Sequence, residues 1–198
     1  TNYSFTTKTQ LQKEIVRAIK NLIKEKPQKV LILGMGNDYI ISDSLGTKTI
    51  EKIDVLDIMK NNNRVQVAKF CPSVLAVSGL ESFDIAKAIT STYLPDLIIV
   101  VDSLCASRVE RIGCSFQLTD AGIVPGSAVG SNVCNLSAET LGTRVISIGV
   151  PMVVYLKSIF QQFLNKTKPS EDNLRRVFEE NRDIFDGIFS PKDIDFLL

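Results

Sequence analysis

No histidine and no tryptophan occur among the 198 residues of this chain. Without an imidazole, neither a Ser-His-Asp nor a Cys-His arrangement can be built, and a His-ligated zinc or nickel site is excluded. A hydrolase of this sequence would have to move protons with carboxylates. Charge imbalance is missing too: Lys+Arg 23 against Asp+Glu 22 leaves +1, which points away from nucleic acid as a direct partner and away from an anionic membrane. No apolar run approaches the about 20 residues that a membrane-crossing helix needs, and the polar N-terminus does not read as a signal peptide. A cytoplasmic location is the expectation. No Cys-x-x-Cys is present; Cys71, Cys105, Cys114 and Cys134 are widely spaced and read as reduced thiols.

What is present is an apolar chain, 44% hydrophobic, with strand-like and helix-like stretches in alternation. That order implies an α/β fold: a mainly parallel twisted sheet with helices on both faces. The expected organisation is one domain over 1–198, with a C-terminal helical extension from about 167. Leu97-Ile98-Ile99-Val100-Val101 reads as a strand buried on both faces, ending at Asp102. Open α/β sheets place ligands at that edge, although Asp102 also suits a helix N-cap. Lys29-Val30-Leu31-Ile32-Leu33 reads as a second buried strand, followed by Gly34-Met35-Gly36-Asn37. The dinucleotide fingerprint needs a third glycine where Tyr39 stands, so no such cofactor is expected.

Other elements follow from periodicity. Apolar spacing predicts helices over 9–26, from Ser42 through Ile58, over 82–93, 152–164 and 171–181, and a last one opened by Ser190. Val65–Phe70 alternates as a strand that Leu75–Val77 continues, and Cys114–Leu118 and Arg144–Gly149 read as strands. Pro151 suits the start of the helix after them, and Asn61–Asn63 suits a turn. Asp120 opens a Gly/Ser/Pro-rich loop running to Asn132, of a kind that is often functional.

Asp43 follows the first strand as Asp102 follows the other. Asp43 by itself suits an N-cap or a first-turn acid. If the two strands are neighbours, however, both carboxyls meet above the sheet. A carboxyl pair sharing one proton can hydrolyse a peptide without metal: the ionised member takes a proton from water while the neutral one donates to the carbonyl oxygen.

At these residues the sequence resembles a known family. Leu31–Asn37 with Ser42-Asp43-Ser44-Leu45-Gly46, then Ser78-Gly79-Leu80-Glu81-Ser82, Pro95 through Arg111, Thr119 through Gly130 and Glu139 through Val154 are similar in order to the motifs of the spore germination protease family. Ser190–Asp195 is similar to part of its C-terminal helix. The resemblance implies an atypical aspartic endopeptidase that degrades small acid-soluble spore proteins in the spore core or forespore. It also implies a fold like that of hydrogenase-maturation peptidases, a homo-oligomer (tetramer or dimer) and no cofactor or metal. It assigns catalysis to Asp43 and Asp102, and motif positions to Gly36, Asn37, Glu81, Ser107, Arg108, Glu110, Arg111 and Asp120, with Arg108 expected to orient or charge one of the acids. Ser42, Thr47, Val124 and Tyr155 depart from the family pattern. The alternative is a non-catalytic or differently specific paralogue that binds a peptide or protein partner at the same cleft; a metal-dependent maturation peptidase ranks third.

Overall fold

The computed structural model describes residues 8–56, 58, 65–125 and 134–181. The Asn61–Asn63 turn, the Gly126–Asn132 part of the glycine-rich loop and the Ser190 helix lie outside the described residues. Five strands form one sheet in the order β2-β1-β3-β5-β4, where β1 is Lys29–Gly34, β2 Gln66–Phe70, β3 Leu97–Ala106, β4 Gln117–Thr119 and β5 Arg144–Val154. All neighbours are parallel except β4, which runs antiparallel to β5. The expected α/β architecture with a mainly parallel sheet is what the chain forms.

Alternate residues of a strand leave opposite faces, and both faces of this sheet are covered. On one face Leu31, Leu33, Ile98, Val100 and Val145 pack with Ala86, Leu136 and Leu141. On the other, Val30, Ile32, Val67, Leu97 and Ile146 pack with Ile50, with Leu22 and Ile23 against them. Leu22, Ile50, Ala86 and Leu141 come from α1 (Lys8–Leu22), α2 (Leu45–Glu51), α4 (Ser82–Tyr93) and α5 (Ala138–Leu141), while Ile23 and Leu136 lie just outside helices; α3 is the single turn Leu75–Ser78. Asp96 ties the N-terminal ends of β1 and β3, its Oδ2 accepting from the Gln28 and Lys29 N–H groups at 2.9 Å each.

Several boundaries differ from the sequence reading, each for a local reason. Helix α1 ends at Leu22, short of Lys26. The stretch from Ser42 to Ile58 is not one helix: Ile41–Asp43 is a 3₁₀ turn and α2 stops at Glu51. Leu75–Val77 is helical rather than strand, closed by Gly79 at φ 73°, a conformation glycine adopts readily. The antiparallel strand begins at Gln117, not Cys114. Pro151 does not start a helix. It lies buried inside β5, opposite Leu104 and beside a register shift, one of the few places where a strand accepts proline. Its C=O is used by the Gly113 N–H at 2.8 Å. The following helix, α6 (Leu156–Thr167), is only partly buried, with Ile159 and Phe163 41% and 57% exposed. Helix α7 (Glu171–Glu180), capped by Ser170, folds against α6 through Phe178, Leu174, Phe160 and Leu164.

Candidate active site

The sheet order places β1 beside β3, so the two strands that lead to the acids are neighbours. Their registers pair Gly34 with Val101, and the next residue, Met35, donates its N–H to the Val101 C=O at 2.8 Å. Gly36 then takes φ 115°, where a side chain would collide with the main-chain oxygen of Asp43. The Asn37 N–H points into the loop and donates to both Asp43 Oδ2 (2.8 Å) and the Asp43 C=O (3.1 Å). Asn37 Oδ1 accepts from the Tyr39 N–H at 3.0 Å, Ile40 donates to the Asn37 C=O, and Asp43 donates to the Ile40 C=O. Asp43 therefore closes a small hydrogen-bonded ring. It sits in the 3₁₀ turn, while Ser44 holds the cap position of α2, so Asp43 is not an N-cap.

Asp102 is not a cap either. It lies within β3, opposite Gly149, and is 3% exposed. Its Oδ1 accepts from the Ser103 N–H at 2.7 Å. Burial pushes its carboxyl up to about 7; the Ser103 hydrogen bond opposes that shift and the charge of Asp43 adds to it. Burial also raises Asp43, against the Asn37 hydrogen bond. The two shifts are unequal: that of Asp102 is the large one, and the charge of Asp43 adds to it after burial, so an ionised Asp43 favours a protonated Asp102.

The remaining motif residues are distributed differently. Gly36 and Asn37 shape the Asp43 ring, as described. Glu81 is exposed at the N-cap position of α4, where its side chain makes no capping bond. Ser107, Arg108, Glu110 and Arg111 are all exposed and begin five residues past Asp102, roughly 16 Å along an extended strand. They line a groove of about 1500 Å³ with Leu11, Ile15 and other residues of α1 and α6, and neither aspartate lines it. Arg108 is not among the charges that act on either carboxyl. Asp120 is exposed just after β4, two strands away from β3.

Two residues contribute in a way the sequence reading did not assign. Buried Thr47 donates to Asp38 Oδ1 at 2.8 Å and bonds the Ser44 C=O, bracing the loop from behind. Gly46 lies against Met35 and the Val101 C=O, where a Cβ would collide with main-chain atoms. Gly46 was visible in the motif and Thr47 as a departure from the family pattern, but neither spacing nor residue type told of these contacts.

Comparison with known proteins adds a family. The model for the germination protease family matches residues 1–166. Germination protease of Caldanaerobacter subterraneus is 30% identical over 95% of this chain and 68% of its own length. That of Clostridium tetani is 30% identical over 99% and 70%, and that of Bacillus subtilis 38% identical over 69% and 39%. Among solved structures, the [NiFe] hydrogenase maturation protease HycI from Thermococcus kodakarensis superposes with a TM-score of 0.46 at 19% identity, covering 68% of this chain and 80% of that one.

Proposed function

The chain belongs to the germination protease family, and we propose that it is an endopeptidase of small acid-soluble spore proteins, working with Asp43 and Asp102 on an activated water. One observation carries this reading: the loop that leaves β1 and the neighbouring strand β3 hold two carboxyls within electrostatic reach, and Asp102, 3% exposed, is held up at about 7 by burial first, with the charge of Asp43 adding to it. A buried acid with a shifted pKa beside a second acid suits general acid–base work at neutral pH.

The roles follow from the order of ionisation. Ionised Asp43 takes a proton from water as the water oxygen bonds to the peptide carbonyl carbon. Neutral Asp102 gives its proton to the carbonyl oxygen, so no oxyanion is left uncompensated. In the second half, Asp43 returns its proton to the amide nitrogen, the C–N bond breaks, and Asp102 recovers a proton from the tetrahedral intermediate. Both carboxyls end as they began. A substrate of this kind would place the reaction in the spore core or forespore. Among the described residues no helix is long and apolar enough to cross a membrane.

Digestion of a small acid-soluble spore protein, with products read by mass spectrometry, tests the proposal. The native chain should cut at internal bonds, and Asp43→Asn and Asp102→Asn should each abolish cutting while circular dichroism stays unchanged. Full activity in either variant removes the two-aspartate mechanism. Saturable binding of the substrate without cleavage by the native chain would favour a non-catalytic relative.

A further inference from the structure

Strand β1 stops at Gly34, opposite Val101, while β3 continues to Ala106. The Met35 N–H makes the last bond across that seam. Beyond it β3 is paired with β5, from Asp102↔Gly149 to Ala106↔Val154, and among the described residues no strand pairs with its other side. In a parallel ladder the N–H and C=O of one residue face the same neighbour, and successive residues alternate. Since Val101 faces β1, Ser103 faces the open side and Asp102 and Leu104 face β5; the register shift at Leu104/Cys105 adds its extra residue, Met152, to β5, so the alternation of β3 continues and Cys105 faces the open side too.

The Ser103 N–H is occupied by the Asp102 carboxylate at 2.7 Å. What remains is a short row of main-chain groups that begins one residue from the buried acid: the Ser103 C=O and the N–H and C=O of Cys105. Folded domains usually blunt or cover such an edge. Here Ser103, Leu104 and Cys105 are half-buried, with none of the charged side chains or prolines that block pairing. The ring that carries Asp43 holds Tyr39 and Ile41 out in solvent, 85% and 84% exposed, on a loop tied down by its own hydrogen bonds. The turn Ile41–Asp43 rests against both β3 and β5.

We propose that the open edge of β3, Ser103–Ala106, is where the substrate backbone binds, an extended polypeptide segment adding to the sheet as a further strand. Pairing with the Ser103 C=O and the Cys105 N–H and C=O fixes the register of the segment, and the start of the edge delivers a peptide carbonyl to the two carboxyls. Main-chain pairing supplies affinity without demanding a particular sequence, and side chains on alternate positions meet the rim, where Tyr39 and Ile41 offer apolar contact. The occupant is thus an unfolded or locally unfolded stretch of protein; a helix, whose main chain is already paired, cannot take this place. The inference rests on the protease reading of the pair for its orientation.

Amide hydrogen exchange at Cys105 in the Asp102→Asn protein, with and without small acid-soluble spore protein, tests the edge. Cleavage of the same protein by the native chain and by Cys105→Pro is measured beside it. Proline removes the N–H on the open side and leaves the β5 ladder in place. Exchange at Cys105 should slow by about tenfold or more, and kcat/KM of a folded Cys105→Pro chain should fall by about tenfold, near the loss of one or two main-chain hydrogen bonds. Unchanged exchange at Cys105, or native-like cleavage by folded Cys105→Pro, overturns the proposal; should Cys105→Pro not fold, the exchange result decides. Protection at Cys105 without cleavage by the native chain upholds the edge and overturns the protease reading. Cleavage without protection does the reverse.

Discussion

Met35 donates its main-chain N–H to the Val101 carbonyl at 2.8 Å, one residue before Asp102 and eight before Asp43. That bond extends the β1–β3 seam past the end of β1 and starts the Asp43 loop from a set position. Gly46 packs onto the same spot, where a Cβ would run into Met35 and Val101 main-chain atoms. Strands cannot yield as the tip of a flexible side chain can.

Gly46→Ala is therefore expected to destabilise the fold by about 3 kcal/mol or more, at the upper end of overpacking costs. Urea unfolding of the variant beside the native chain measures it. A loss below about 0.5 kcal/mol would mean that the seam opens easily.

Gly36→Ala faces two penalties, a φ of 115° that L side chains rarely adopt and a collision with the Asp43 main chain. The ring Asn37–Asp43 has to open to relieve them. Cleavage should fall at least about 100-fold, more than stability alone would suggest, because the Asn37 N–H would no longer position Asp43 Oδ2. A folded Gly36→Ala chain with native kcat would show that the ring does not position the acid.

Asp102 links stability to pH. Its carboxyl titrates at about 7 in the fold against 3.8 ordinarily, so the folded chain keeps a proton that the unfolded chain loses. The stabilisation is complete below about pH 4 and is lost as pH rises through 7, a change on the order of 4 kcal/mol for this buried group. Asp102→Asn, which cannot ionise, should be less sensitive to pH across that window and more stable than the native chain at pH 8. Thermal unfolding at pH 5 and pH 8 for both chains tests this, and parallel behaviour of the two would refute it.

The rate should follow the two carboxyls in a bell. The acid limb lies above the ordinary carboxylate value because burial raises Asp43, and the alkaline limb falls near 7 as Asp102 loses its proton. Arg108→Ala should leave both limbs in place, since Arg108 acts on neither carboxyl. A profile of kcat/KM that still climbs at pH 8, or limbs displaced by Arg108→Ala, would contradict the assignment.

How much of this was legible in the chain depends on whether the cause is local. The absence of histidine is enough to rule out a Ser-His or Cys-His arrangement and a His-ligated metal. The β-branched run Leu97–Val101 and its counterpart Lys29–Leu33 announced buried strands, and the glycines after Leu33 announced a sharp turn. Periodicity located the helix 82–93 to the residue. It misplaced Pro151 and the end of β3, because a strand continues only while a neighbour pairs with it, and β5 is more than 40 residues away in the chain. The order of motifs pointed to Asp43 and Asp102 together with Glu81, Arg108, Glu110 and Asp120, and could not say which of them meet.

The sequence by itself determined the α/β class, the loss of histidine-based chemistry and the two buried runs, Val30–Leu33 and Leu97–Val101, after which the acids follow. Only the tertiary structure decided that those ends are adjacent and that β3 runs on past its acid with one side open. It also decided that Arg108 and Asp120 stand elsewhere and that Asp102 is buried enough to keep a proton near neutrality. Adjacency and desolvation are both set by groups distant in the chain, and no spacing along the sequence records them.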